Sequence, residues 1–472
     1  MGQKIPVHQV DPKGTEQKTV ELYASRPKIY VKEVKGTFQR LRTASLWLLM
    51  GMYFTFCWIT IDGQQLVYFD LPNRQFHLFG ATFFPQDFML LSWMLIICAF
   101  GLFFITTLFG RVWCGYTCPQ TVWTFIFMWI EERVEGSRNQ RMKLDKAPND
   151  ARKIAKKTIK HSLWLAVAFL TGLTFVGYFY PMRELVPDFF TLNAASGWAY
   201  FWIAFFTLAT YLNAGWMREQ VCLYMCPYAR FQSVMYDRNT LAVSYDPHRG
   251  EPRGSRKRDA DPRELGLGDC IDCGLCVQVC PTGIDIRDGL QYECIGCALC
   301  IDACDSVMEK MNYPKGLISY TSENALEGKK AKYLRPRTLG YGAIMLLMIG
   351  AVVFTIGNRN AVELDVLRDR GALYSQTADG HIRNTYLLRI INKVDASREF
   401  ELSVTGLENA KITTNVPPYV EPFEVMNVPV TVVVAPSELK NRLTPIEFVI
   451  TAKDDPAIQA IKESRFLGPE VQ

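Results

Sequence analysis

The chain has 472 residues, of which 49% are hydrophobic, and 52 Lys and Arg stand against 47 Asp and Glu. That length admits several domains, while a net charge of +5 is too slight by itself to mark a nucleic-acid binder. All 14 cysteines stand at or before Cys304, which excludes a C-terminal secreted domain stapled by disulfides.

In chain order, residues 1–43 read as a polar cytoplasmic arm carrying Lys28, Lys32, Lys35, Arg40 and Arg42. Five apolar blocks follow, at 44–61, 88–109, 162–180, 197–216 and 339–356, each near the roughly 20 residues a helix needs to cross a bilayer. Buried core helices of a soluble protein are the plain alternative. The first block is not a cleaved signal peptide, because a long polar stretch precedes it and no small-residue cleavage site follows. Basic residues set the topology. Arg138, Arg141, Lys143, Arg152, Lys153, Lys156 and Lys157 crowd the segment between the second and third blocks, which places it in the cytoplasm with the arm. The loops 62–87 and 181–196 carry only Arg74 and Arg183 and face outside. Residues 217–338 then lie inside, and the chain beyond Asn358 lies outside. Juxtamembrane position accounts for the basic runs without a nucleic acid.

Residues 44–217 form a four-helix membrane domain of two tandem pairs. Each pair ends in a similar phrase at the inner face, RVWCGYTCPQTVW and then REQVCLYMCPYARFQ. Proline suits the first helical position, so Pro119 and Pro227 predict that Cys118 and Cys226 cap helices, where the helix dipole eases loss of the thiol proton. Cys114 and Cys222 fall one turn back, and the four sulfurs can converge where the halves meet. Soft thiolates of this kind suit Cu(I), another metal or a redox disulfide; alternatively they are small interfacial residues without chemistry. The apolar run after Pro119 is too short to span and reads as a helix in or near the interface.

Residues 218–262 read as a basic cytoplasmic linker, and 263–312 carry the most specific signal. Cys270, Cys273, Cys276 and Cys280, the last followed by Pro281, make one half of a bacterial ferredoxin; Cys294, Cys297, Cys300 and Cys304 make the other. Three thiolates on one tight loop hold three irons of a cube, and the fourth iron takes the last cysteine of the opposite half. One [4Fe-4S] cluster is therefore expected on Cys270, Cys273, Cys276 and Cys304, the other on Cys280, Cys294, Cys297 and Cys300. Zinc competes for C-x2-C pairs but rarely needs a third cysteine at the same spacing plus a fourth. Asp305 stands where the second half would carry proline, which leaves the local turn open. Cys57, Cys98, His77, His161 and His248 are expected to make ordinary packing and polar contacts.

Residues 313–338 read as a cytoplasmic linker and 339–357 as the fifth transmembrane helix. Residues 358–472 then alternate apolar and polar with many β-branched residues, predicting an antiparallel sandwich without a metal-ligating cluster, a docking module.

The five spans, the segment YFDLPNRQFHLFG, the phrases CGYTCPQTVW and CLYMCPYARFQ, the ferredoxin insert and the sandwich tail together resemble the cytochrome c oxidase accessory protein family, CcoG, FixG or RdxA. The resemblance covers nearly the full chain. It implies a multi-pass protein of the bacterial inner membrane, with the ferredoxin domain cytoplasmic and an immunoglobulin-like domain in the periplasm. It also implies a part in assembling cbb3-type oxidases beside copper-transport proteins, as a cupric reductase. An unnamed electron donor would feed the two [4Fe-4S] clusters, and copper would be reduced near Cys114, Cys118, Cys222 and Cys226. Two other readings stand beside it: an electron conduit of the membrane-ferredoxin type serving a respiratory reductase, and a non-enzymatic redox-sensing scaffold. The sequence leaves homodimer formation open.

Overall fold

The computed structural model describes residues 28–469 except 62, 259, 359, 370–372, 395, 415 and 440. The first 27 residues of the expected N-terminal arm lie outside the described residues. The chain divides into two compact units, Met1–Trp58 with Cys98–Ile344 and Ile59–Ile97 with Met345–Gln472.

Before the cysteine-rich part the chain forms α1 (Thr37–Thr55), α2 (Phe88–Phe109), α3 (Val112–Tyr116), α4 (Pro119–Glu135), α5 (Arg138–Lys146), α6 (Ala151–Val176), α7 (Met182–Thr191), α8 (Gly197–Thr210) and α9 (Pro227–Met235). Among the described residues, three helices are long and apolar enough to cross a membrane: α2, α6 and Pro336–Gly357. The other two predicted blocks fold differently from their sequence outline. α1 begins at Thr37, takes in Gln39, Arg40 and Arg42, and ends at Thr55. α8 stops at Thr210, where the winding loosens into π-helix over Tyr211–Met217.

Close packing joins the two helices of the second pair. A methyl group on Gly172 of α6 would stand 2.7 Å from the Ile203 carbonyl oxygen of α8, so the two backbones approach through a position that only glycine fills. α4 is fastened to α6 through Phe127 and Trp164, whose rings stack at 5.2 Å and whose indole donates to the Phe127 carbonyl at 3.0 Å. The last turns of α4 carry two buried carboxylates. Glu131 is met by Arg218 at 3.0 Å and Arg141 at 3.4 Å, and Glu135 by Lys157 at 2.8 Å and Lys160 at 2.9 Å. A buried carboxylate persists only with such partners.

The cysteine-rich part of this unit has two short helices, Leu275–Gln278 and Leu299–Lys310, entered through Gly274 and Ala298 at positive φ of 61° and 59°. Each follows a C-x2-C step, so the halves repeat in backbone as well as in sequence. Without a proline at 305 the second helix runs on through Cys304 to Lys310, and Asp305 accepts the Gly316 N–H at 2.9 Å. A strand pair, Ala242–Tyr245 with Ile318–Thr321, packs on these helices and lies outside the span 263–312 read from the cysteines. Asp302 also caps α1, accepting the N–H groups of Phe38 at 3.2 Å and Gln39 at 2.7 Å. Gly36 is required there, since a methyl group would fall 2.2 Å from the Asp302 carboxyl carbon.

In the second unit, residues 60–83 form two small antiparallel sheets where only an outer loop was expected: Thr60–Ile61 with Gln64–Gln65, and the meander Val67–Asp70, Gln75–Leu78, Ala81–Phe83. The meander is tied to the sandwich by Gln75, which donates to the Phe423 carbonyl at 3.1 Å, and next to it Lys393 meets Asp87 at 3.1 Å. The sandwich has one sheet in the order Lys411–Thr414, Val425–Val434, Ile382–Asn392, Val362–Arg368, with Ser375–Gln376 also on Ile382–Asn392. The facing sheet runs Tyr419–Val420, Arg398–Thr405, Leu443–Ala452, Gln459–Leu467. Alternate residues Ile382, Tyr386, Leu388 and Ile390 point into the core against Phe400, Phe448 and Phe466. Phe448 is 0% exposed and meets the Tyr386 ring at 4.9 Å. Phe448→Ala should destabilise the sandwich by about 3–5 kcal/mol. Limited proteolysis after increasing urea should show it cut at lower denaturant than wild type.

Candidate iron-sulfur and thiol sites

Two small cavities of about 20 Å³ each lie in the cysteine-rich fold. One is lined by Cys270, Cys273, Cys276 and Cys304, the other by Cys280, Cys294, Cys297 and Cys300, with Cys276 on the wall of both. Each set expected from spacing is thus gathered round one void. Among the described residues no three His, Cys, Asp or Glu side chains converge as a single ion requires. Four sulfurs held apart around an apolar void suit instead a group of several metal atoms. All 14 cysteines are free thiols. Burial pushes Cys276 up to about 11 and Cys294 and Cys304 up to about 12. A cationic metal centre is what such buried thiols need in order to ionise.

The second thiol group sits at and just before the starts of α4 and α9. Cys118 caps α4 with Pro119 as its first residue, and Cys226 caps α9 with Pro227, as the sequence predicts. The expected ease of ionisation does not follow at Cys118. Burial raises its thiol above the ordinary range, and the N–H groups of Thr121 and Gln120 only partly offset this. Cys114 and Cys222 are pushed up to about 12, first by burial and then by neighbouring thiols. Cys114 lies within electrostatic reach of Cys118, Cys222 and Cys226, so all four sulfurs share one neighbourhood. The residues around Cys114 are α-helical, whereas Val221–Met225 around Cys222 are π-helical. The Cys114 thiol donates to Gln232 Oε1 at 3.3 Å, and Gln232, 0% exposed, donates onward to Thr106 of α2 at 3.2 Å.

The two thiol groups meet across a seam of bare backbone. A methyl group on Gly115 would stand 2.9 Å from the Gly296 carbonyl oxygen and 3.0 Å from the Cys297 Cα. A methyl group on Gly296, at φ 67°, would stand 3.1 Å from the Arg111 carbonyl oxygen. Arg111 spans the junction, donating to the carbonyls of Tyr292, Cys294 and Ala229. Cys114 and Cys300 both pack against the buried cluster of Ile295, Cys297 and Leu299. A narrow third cavity is lined by Cys222, Thr121, Arg218, Pro281 and Arg42. From one cluster cavity to the next through Cys276, and on to Cys114, the residues form a continuous packed line.

No sequence motif points to Arg111, Gln232 or Arg42. Glu131 and Glu135, one turn apart in the polar end of the helix that follows the apolar run after Pro119, are the legible sign of the buried ion cluster. Cys57 packs beside Leu173, Val176 and Met182, whereas Cys98 is exposed on α2. His77 meets Thr82 at 2.9 Å and His161 meets Tyr211 at 2.9 Å, both ordinary polar contacts.

Three family profiles match the chain: a 4Fe-4S dicluster domain over residues 217–323, a 4Fe-4S binding domain over 91–132, and the IG-like fold at the C-terminus of FixG over 352–469. Nitrogen fixation protein FixG of Rhizobium meliloti is 38% identical over 426 residues, which is 82% of this chain and 81% of that protein. The chain belongs to the FixG/RdxA family. Protein RdxB of Cereibacter sphaeroides, another relative, is 39% identical over 459 residues, 94% of this chain and 93% of its own. The crystal structure of a FixG-related protein from Vibrio parahaemolyticus matches 23% of this chain and 97% of its own at 32% identity, with a TM-score of 0.21. As a FixG-family member the protein is an iron-sulfur redox protein with an immunoglobulin-like C-terminal domain. The dicluster profile takes in the strand pair at 242–245 and 318–321, and the profile over 91–132 takes in Cys114 and Cys118.

Proposed function

We propose that this FixG-family protein is a five-span oxidoreductase of the bacterial inner membrane that reduces Cu(II) to Cu(I) for the assembly of a cbb3-type cytochrome c oxidase. The carrying observation is the seam at Gly115, which sets the Cys114 thiol against the residues that line the Cys280, Cys294, Cys297 and Cys300 cavity. Cys270, Cys273, Cys276 and Cys304 hold one [4Fe-4S] cluster and Cys280, Cys294, Cys297 and Cys300 the other. The clusters supply one electron at a time. Arg111 pins the ferredoxin loop to the segment that carries Cys114, and a pair among the soft sulfurs of Cys114, Cys118, Cys222 and Cys226 receives cupric ion, which gains one electron and leaves as cuprous ion. The ferredoxin part faces the cytoplasm, where copper-transport proteins take the product. The sandwich faces the periplasm, where it docks oxidase subunits.

A second reading has one observation in its favour: the 4Fe-4S profile over 91–132 takes in Cys114 and Cys118, two of the four thiols, and so points to iron there. Iron content separates the two, since two cubanes require about eight irons per chain and three require about twelve. Replacing Cys114, Cys118, Cys222 and Cys226 together by serine should abolish steady-state cupric reduction, followed with a cuprous-specific chelator, and leave about eight irons in place. Undiminished turnover in that variant removes the four thiols from the mechanism. A single stoichiometric burst in the wild-type protein would make it a sensor and not an enzyme.

A further inference from the structure

Arg42, in the second turn of α1, is a buried cation that no carboxylate answers. It is 3% exposed, its guanidinium lies 4.8 Å from the Phe125 ring centre, and its Nη1 has no hydrogen-bond partner among the described residues. A ring face meets only part of the need of a buried guanidinium, which is strongly destabilising when left without a counter-charge. Asp302 does not supply one, because its carboxylate is turned to the N–H groups of Phe38 and Gln39 at the start of α1. What Arg42 does reach are sulfurs. Those of Cys297 and Cys280 fall within its electrostatic range. Arg42 also lines the narrow third cavity with Pro281 and Ile295, the residues that follow Cys280 and Cys294. Arg111, 5% exposed, comes to the same site and donates to the Cys294 carbonyl at 3.3 Å.

The other cluster cavity has a different electrostatic setting. Arg287 lines it, but Asp285 holds that guanidinium at 2.6 Å and Asp272 is a second partner, so two carboxylates stand against one cation. Asp305 lies within electrostatic range of Cys304. Cys273 is exposed there, whereas none of Cys280, Cys294, Cys297 and Cys300 is. Burial by itself makes the second site hard to reduce, because a reduced cluster carries one more negative charge than an oxidised one. An unpaired cation in the same dry surroundings offsets that cost, since its field is little screened.

We propose that Arg42 is the buried counter-ion of the cluster held by Cys280, Cys294, Cys297 and Cys300, and that its charge raises the reduction potential of that cluster, keeping a site shut off from water reducible. The inference rests on reading that cavity as a cluster site, and it is independent of copper. Arg42 touches no substrate and acts through the cluster alone. The orphaned guanidinium and the anionic group satisfy one another, which accounts for an arginine so deeply buried on the first turns of an otherwise apolar helix. A purely structural strut would need the bulk of Arg42 and not its charge, so the two roles part company when charge and bulk are changed separately.

The test is a spectroscopic redox titration of the anaerobically purified full chain, with iron counted in every variant. Arg42→Met removes the charge and keeps most of the bulk, and Arg42→Lys keeps the charge. Phe125→Glu retains Arg42 and neutralises it, because a carboxylate then stands where the ring now meets the guanidinium. In Arg42→Met and in Phe125→Glu the reduced-to-oxidised ratio of one cluster should fall about tenfold at a given potential, a shift of about 59 mV for one electron, while the other cluster titrates as in wild type. Arg42→Lys should restore most of the shift. In protein that also carries Cys270→Ala and Cys304→Ala, the cluster that remains should be the one that Arg42→Met moves. Unmoved titrations in both charge-removing variants, equal movement of both clusters, or Arg42→Lys titrating like Arg42→Met overturns the proposal. Should Arg42→Met shed its iron, Phe125→Glu decides the matter by the same titration. Wild-type protein without iron sinks the cluster reading itself, a failure distinct from that of an iron-loaded protein whose potentials ignore Arg42.

Discussion

Replacing Cys270 and Cys304 together by alanine should leave about half of the bound iron, near four atoms per chain, whereas replacing Cys270 and Cys280 together should leave almost none. The two pairs differ in how the ferredoxin halves are wired. Cys304 belongs by sequence to the second half, yet it lines the cavity of Cys270, Cys273 and Cys276, at the far side from its own neighbours Cys294 and Cys297. If ligation follows the cavities, the first double variant spoils one cluster twice and spares the other. If each half kept its own four cysteines, the same variant would spoil both. Iron and sulfide counts on anaerobically purified protein decide between these outcomes, and near-complete loss of iron from the Cys270 and Cys304 variant would end the crossed assignment.

Glu131→Ala should lower stability by about 3–5 kcal/mol, because it leaves cations buried with no counter-charge. Glu131 is 1% exposed, and Arg218, Arg141, Lys160 and Lys28 all approach it. Burial alone would raise its carboxyl, but Arg218, Lys28, Lys160 and Arg141 outweigh this and hold it below the usual range. Asp145 is held well below as well, hydrogen bonds from Lys157, Lys28 and Tyr30 overcoming its burial. A carboxyl whose folded pKa is depressed contributes stability above its unfolded value and loses it as the pH falls through the folded value. The protein should therefore hold its melting temperature down to about pH 4 and lose it below. Glu131→Gln should show a shallower acid limb than wild type in the same thermal scans. An unchanged acid limb in that variant would show that Glu131 does not carry the effect.

What the sequence discloses follows the range over which each signal acts. The sandwich is legible because period-two alternation in stretches such as Ile382–Asn392 is local, and the cysteines that line the two small cavities stand out because their spacing is fixed along the chain. α2 and Pro336–Gly357 are legible from unbroken apolar composition. The meander at 67–83 escapes notice because its strands are too short to establish a period. The ionisation of Cys118 is misjudged because a helix dipole is read from sequence and burial is not. The seam at Gly115 and the partners of Glu131 join segments far apart along the chain, where no spacing rule reaches.

The two C-x3-C-P phrases look like copies, but the backbone treats them unequally. An α-helical turn presents Cys114, while the wider π winding over Val221–Met225 presents Cys222 and follows a second such stretch at Tyr211–Met217. A π turn takes in an additional residue and so re-aims everything beyond it. On the copper reading, the metal meets a lopsided cradle built from unlike halves. Cupric and cuprous ions favour different coordination shapes, and an asymmetric host that is no perfect match for either lowers the barrier to passing between them.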